Sequence, residues 1–415
     1  MSGNGMEITP AVRVLRRSGF TIAADGSYAA CLAEAGVAGE GDPGEGGADS
    51  GGGAVSGWFV ERWTLAGPEP YAVPLPGAQP EEAGTQLVPL PDGRVLIRRR
   101  VADRHDLALL YPTGPGTGEL PIGSLRGDAV TLLPPSPLAG TAFALVHEAG
   151  GEGGGEGEGD GVTSVWQVCG AGNDGPVPVL RVTGRCTGGV WLDRAGRLLA
   201  LDRTLDSRTK AVAVDLHLGE ASPLLQLTED SDDRLVLAEP DSGLLLLRSD
   251  ATGEARLGWG VLGSRRPVRF PDALQVPGVQ LTPVAAQPGQ ILQPEAVVVA
   301  LRAEVPGGAE SLALWRPGER RPHWRASPPG WLGAAGFWGA DDLLRLPCSV
   351  PEWPCGVAAY EAPRLGAAAL PASSGTSASP SSAGTSGAAR VRAPKRRACR
   401  VLPLQQAPLG AAKAG

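Results

Sequence analysis

One short pattern keeps returning along the 415 residues: a turn rich in Asp and Gly, a strand of alternating apolar residues, then an arginine or an acidic residue. It reads AADGSYAACLAE from Ala23, LPDGRVLIRRR from Leu90, LDRAGRLLALDR from Leu192 and AEPDSGLLLLRSD from Ala238. Weaker copies begin at Ala139, Gln293 and Gly336. Each is followed by a second strand, a turn and a third strand, as in KAVAVDLHLGEASPLLQL from Lys210. Val212, Val214 and Leu216 alternate there with a period of two, the mark of a half-buried strand.

The arginines closing the first strand of each copy set the scale. Arg203, Arg248, Arg302 and Arg345 lie at intervals of 45, 54 and 43 residues, and Arg99 lies 104 before Arg203, or two units. Periods of about 40–50 residues with four short strands each describe propeller blades. A lone four-stranded unit cannot bury both its faces, but radially stacked units cover one another. The expected fold is therefore all-β, a β-propeller of four-stranded antiparallel blades. Units starting near residues 10, 86, 129, 187, 232, 277 and 331 give seven blades, with six or eight as alternatives. Two packed β-sandwiches would also give many short strands, but not the regular interval.

Composition agrees. With 61 Gly and 39 Pro, a mostly helical chain is excluded, because each interior Gly costs about 1 kcal/mol and each Pro about 3. Three Lys, two Asn and five Ile beside 34 Arg mark a GC-rich, bacterial gene, so the number of arginines is not itself an argument. A net charge of −7 disfavours nucleic acid held through a global positive field. Arg13, Arg16 and Arg17 interrupt the first twenty residues, which lack the apolar core of a signal peptide. No apolar run reaches the roughly 18 residues needed to span a bilayer. A cytoplasmic monomer without a membrane partner is expected. Six cysteines form no C-x-x-C pair; Cys348 and Cys355 flank a short loop and read as free thiols in a reducing cytosol.

The stretch LDRAGRLLALDRTLDSRTKAVAVDLHLGEASPLLQLT, Leu192 to Thr228, resembles the blade repeat of TolB-like, WD40-like propellers. That repeat also occurs in the propeller domain of prolyl-oligopeptidase-family peptidases. Asp202-Arg203, Asp215, Gly219 and Leu227-Thr228 match it here, and Pro91-Asp92-Gly93 matches its opening turn in another unit. The resemblance implies a fold, not a reaction.

Residues 1–9 read as a disordered terminus and 10–365 as the propeller. Glycine-rich, acidic insertions at 36–53 and 148–161 cannot bury apolar area. A phosphate-cradling loop is excluded by their charge, and the calcium-loop order of carboxylates is missing. Residues 366–396 are a low-complexity linker. Arg390, Arg392, Lys395, Arg396, Arg397 and Arg400 make the end of this linker and the start of the segment after it basic. Residues 397–408 have the character of a strand that would close the ring.

No zincin, Walker, Rossmann or nucleophile-elbow motif occurs, and no cofactor or metal is expected. His105 and His147 are weak catalytic candidates, near hairpins that face the blade connections, with Asp103, Asp106 and Glu148 beside them. Arg104, Arg203, Arg248 and Arg302 are expected on the same face, with Asp202, Asp250 and Glu304 as neighbours. Such Arg–acid pairs either order hairpins, at about 0–1 kcal/mol each, or form a polar funnel. Most tryptophans are expected between blades; Trp353, between Pro351 and Pro354, is a candidate exposed anchor. The function favoured is a non-catalytic scaffold binding a protein or peptide on its loop face, through Arg104, Asp106, Arg203, Arg248, Arg302 and Trp353. The alternatives are a propeller-type lyase or hydrolase with its site at the channel mouth, where a small molecule would bind, and a regulatory propeller related to a peptidase gating domain.

Overall fold

The recurring turn is a hairpin between the first and second strands of a sheet. A computed structural model describes residues 13–36, 57–114, 116–150, 160–170, 172, 175–333 and 335–364. Residues 37–53 and 151–159 of the insertions read at 36–53 and 148–161, the terminus 1–9, the linker 366–396 and the segment 397–408 lie outside the described residues. Among those described there is no α-helix.

Strands β1 (Arg13–Ile22), β2 (Tyr28–Gly36), β3 (Gly57–Thr64) and β4 (Tyr71–Leu75) form the first antiparallel sheet. The second holds β5 (Gln86–Pro89), β6 (Val95–Val101), β7 (Arg104–Pro112) and β8 (Thr117–Arg126). The third holds β9 (Ala129–Leu132), β10 (Ala142–Glu148), β11 (Val162–Cys169) and β12 (Val177–Thr183). Next come β13 (Arg185–Trp191), β14 (Leu198–Leu205), β15 (Arg208–Asp215) and β16 (Glu220–Leu225). One parallel pair, Lys210 with Asp233, joins these to β17 (Asp233–Glu239), β18 (Leu244–Ser249) and β19 (Arg256–Val261). Then follow β20 (Gln280–Ala286), β21 (Val299–Glu304), β22 (Ser311–Trp315) and β23 (His323–Ala326). The last sheet is β24 (Phe337–Trp338), β25 (Leu343–Val350) and β26 (Trp353–Glu361). Arg99, Arg203, Arg248, Arg302 and Arg345 thus lie on the second strands of their sheets, because another strand of the same sheet precedes the one that carries the repeat.

Both faces of the inner strands are covered, and alternate residues serve different neighbours. In β2, Ala30 and Leu32 pack with Val95 and Ile97 of the second sheet, while Ala29 and Cys31 face the other way. Leu96 and Leu107 meet Ala144 and Val146 of the third sheet. Leu199 and Leu201 of β14 join Phe143 and Val165, and Ala200 joins Leu245 and Leu247 of β18. Leu244 and Leu246 meet Val299 and Leu301 of β21, whose Ala300 meets Leu344 and Leu346 of the last sheet. The last sheet packs back on the first through Phe337, Cys355 and Val357 against Phe20, Cys31 and Trp63. Gly26 (φ +74°) sits under the Phe337 ring, where a Cβ would come within 2.7 Å of it, so no side chain fits there. The half-buried reading of β15 is corrected by this packing. Val212 and Val214 face the third sheet, and the small Ala211 and Ala213 let β17–β19 approach the other side. Trp259, Trp315, Trp331 and Trp338 are buried, in line with packing between sheets.

Candidate functional site

The hairpins joining second to third strands gather at one end of the sheets, with the sheet-to-sheet connections. Trp58 at the start of β3 bridges to Glu81 of the next connection, and Glu81 pairs with Arg99 at 2.8 Å. Thr163 Oγ1 at the start of β11 donates to Gly184 O, just before β13. Lys210 pairs with Asp233 at 2.9 Å, and Arg248 donates to Leu281 O at 3.1 Å. These contacts set the hairpin ends of successive sheets side by side.

Both candidate histidines reside at this end, each bonded within its own sheet. Arg98 donates to His105 Nδ1 at 2.7 Å. Arginine can only donate, so the buried ring is neutral with its proton on Nε2. Burial, then the charges of Arg98 and Arg100, lower the His105 pKa. His147 Nδ1 lies 3.2 Å from Thr163 Oγ1, whose own proton goes to Gly184 O, so His147 is the donor. No hydrogen bond joins the two histidines among the described residues.

Arg104 pairs with Asp106 (2.8 Å, exposed), and Arg302 pairs with Glu304 at 3.3 Å and with Glu310. Arg203 and Arg248 do not pair with their sequence neighbours. Asp202 instead accepts the Leu235 N–H of β17 at 3.0 Å, and Asp250 accepts the Asp232 N–H at 2.7 Å. Arg203 is half-buried, with its Nε buried and unpartnered. Trp353, at the tip of the last hairpin, is 71% exposed.

A buried network that the sequence reading did not anticipate locks the entry into β17. Fully buried Asp233 accepts from Lys210 Nζ, Ser231 Oγ, Ser249 Oγ and the Leu227 N–H. Burial alone would raise its pKa; the bonds from Ser249, Leu227, Lys210 and Ser231 outweigh it and hold the pKa below the ordinary value.

Asp202 behaves oppositely. Burial raises its pKa to about 6, against the weaker opposing effects of the Leu235 N–H and Arg234. Between the ordinary carboxyl value and about 6, the folded chain keeps a proton that the unfolded chain has lost. This contribution to stability is therefore present at low pH and disappears as pH rises through about 6. Asp202→Asn keeps the acceptor for Leu235 without the buried charge. It is expected to stabilise the protein at pH 7 by on the order of 2–3 kcal/mol at most, and hardly at pH 4. Urea midpoints at the two pH values check this; equal gains at both would contradict it.

The hairpin face also carries a cleft of ≈ 400 Å³ between the β18–β19 hairpin and the connection into β20. Arg248, Arg256, Gln275 and Gln280 line it, with exposed Glu254 at the hairpin. Neither Arg248 nor Arg256 is in an ion pair among the described residues; at the same end Arg17, Arg99, Arg104 and Arg302 are paired, while Arg98 and Arg234 bond to His105 and Thr209 instead. Gln275 Nε2 is buried without an acceptor. Of these residues only Arg248 was expected from sequence; Arg256 and Gln275 belong to no repeated position.

Antiparallel sheets, each packed on the next and the last on the first, define a β-propeller. The chain is similar in structure to a prolyl endopeptidase, at 10% identity and a TM-score of 0.50, over 83% of this chain and 48% of that one. It is also similar to TolB of Acinetobacter baumannii (11% identity, TM-score 0.41, 76% of this chain and 77% of that one). A third similar structure is a puromycin-hydrolyzing peptidase of Mycobacterium tuberculosis (15% identity, TM-score 0.43, 84% and 60%). No protein-family profile and no curated protein sequence matches the chain.

Proposed function

We propose that the protein is a seven-bladed propeller scaffold that binds a protein or peptide partner on its hairpin face, with a partner carboxylate seated in the Arg248–Arg256 cleft. The observation that carries this reading is a pair of guanidinium groups without carboxylate partners among the described residues, lining one cleft together. The unpartnered Gln275 Nε2 adds a neutral donor. Charge-assisted bonds from a guanidinium to a carboxylate are directional and contribute about 1.5–3 kcal/mol each. Exposed Trp353 and the Arg104–Asp106 hairpin offer further contacts at the same end. The described cysteines are all free thiols, which fits the proposed cytoplasmic setting.

The test is affinity capture of a partner from the producing cells by the full chain, repeated with Arg248→Glu/Arg256→Glu. Loss of the captured partner by roughly tenfold or more is expected, since 1.4 kcal/mol is tenfold in affinity. A partner retained equally by the double variant would overturn the cleft as its site.

A further inference from the structure

A second cleft, of ≈ 390 Å³, lies at the opposite end of the strands, between the segment after β19 and the connection from β20 to β21. Its size falls in the range of roughly 300–1,000 Å³ usual for ligand sites. Buried Trp259 lines it, with the Arg269 guanidinium 5.1 Å above the indole. Arg266, Leu292 and Glu295 also line it.

Leu292 is placed in a way that nothing within the folded chain rewards. It occupies the third position of a turn closed by the Gln293 N–H to Gln290 O bond (3.0 Å), with φ +59°. That left-handed position favours glycine or asparagine and strains a leucine. Its side chain is nonetheless 80% exposed, and that of neighbouring Ile291 is 65% exposed. A strained, exposed leucine thus lines the cleft, with exposed Ile291 next to it in the turn. Around it positive charge is in excess, two arginines against one glutamate in the lining. Arg265, Arg266 and Arg269 crowd the segment after β19, and Arg269 has no ion pair among the described residues. The one carboxylate lining the cleft, Glu295, lies 3.7 Å from Arg266, with both side chains exposed to solvent.

From this placement we infer that the cleft is a second docking site, for an acidic, aliphatic segment of a partner protein. Aliphatic side chains of the segment cover Ile291 and Leu292, and its carboxylates meet Arg266 and Arg269. Burial of Leu292 in the complex supplies the return that the free protein lacks. The site is at the other end of the strands from the Arg248–Arg256 cleft and does not depend on it.

A displayed library of random peptides, panned against the full chain, tests this, followed by titration of the selected synthetic peptide. Selected sequences should combine Asp or Glu with Leu, Ile or Val. Leu292→Gly, which suits the backbone, and Arg266→Glu should each weaken binding at least tenfold, while Arg248→Glu/Arg256→Glu leaves it unchanged. Selection of no acidic, aliphatic sequence overturns the inference. So does a selected peptide that binds either Leu292→Gly or Arg266→Glu as tightly as the parent, or that loses affinity in the Arg248→Glu/Arg256→Glu variant.

Discussion

Asp233→Ala is expected to destabilise the protein by about 3–5 kcal/mol, the range for removing one member of a buried, hydrogen-bonded ion pair. The carboxylate has no solvent exposure, and it accepts from an ammonium, two hydroxyls and a backbone N–H. Alanine leaves those donors in a space too dry to replace their acceptor. Lys210 keeps its bonds to the Thr228 and Ser231 carbonyls and Ser231 Oγ keeps its bond to Thr228 O, so the Ser249 hydroxyl and the Leu227 N–H are the groups stranded. Asp233→Asn retains acceptor oxygen and is expected to lose clearly less. Thermal midpoints of the two variants check the order; an Asn variant as unstable as the Ala variant would show that charge, not hydrogen bonding, holds the site. Because the Asp233 pKa is depressed on folding, its contribution is present above the ordinary carboxyl value and is lost as pH falls through the folded one.

Glu61→Ala should cost a similar amount, about 3–5 kcal/mol, at the junction of the first and last sheets. Arg17 and Glu61 pair at 2.6 Å with side chains only 8% and 6% exposed. Glu61 also accepts from Trp63 Nε1 at 2.8 Å, and Arg17 donates to Ser349 Oγ of β25 at 2.6 Å. Removing the carboxylate leaves a guanidinium buried against the Trp63 ring with no counter-ion. The double variant Arg17→Met/Glu61→Leu should recover most of the loss, because a buried pair stabilises little relative to apolar residues of similar volume. Urea midpoints for the two single variants and the double complete the cycle; a double variant as unstable as Glu61→Ala would contradict this account. Cys31 and Cys355 belong to the same region. Burial first, then the Glu61 charge, pushes the Cys355 thiol up to about 12 and Cys31 well above its ordinary value, so both stay protonated at neutral pH.

The fold was legible where alternate residues had separate tasks. Leu244 to Leu247 read as an apolar run because odd and even positions pack on different sheets. The units placed near residues 86 and 129 begin at Gln86 and Ala129. A first strand as short as Phe337–Trp338 carries too few residues for any period, so the sequence alone places Arg345 on a first rather than a second strand. The site was less legible because its partners come from different sheets. Asp202 stands beside Arg203 in the sequence, yet bonds to β17. The acidic run Glu229 to Asp233 looks like a solvated turn, yet ends in a carboxylate without exposure. Strain at Leu292 has no signature in a sequence at all, since it depends on a backbone angle.

The return of the last sheet onto the first has a consequence for how the protein comes apart. In a linear stack of repeats the end units have one neighbour each and can fray singly. Here Phe337 on Gly26, with the Phe20 and Trp63 side chains behind it, gives the first and last sheets a second neighbour. Detaching the first or the last sheet then breaks two interfaces instead of one, as for every other sheet. Cooperativity is thereby set by the weakest adjacent pair of interfaces, and the first and last sheets, which would be the frayed units of an open array, are tied to each other.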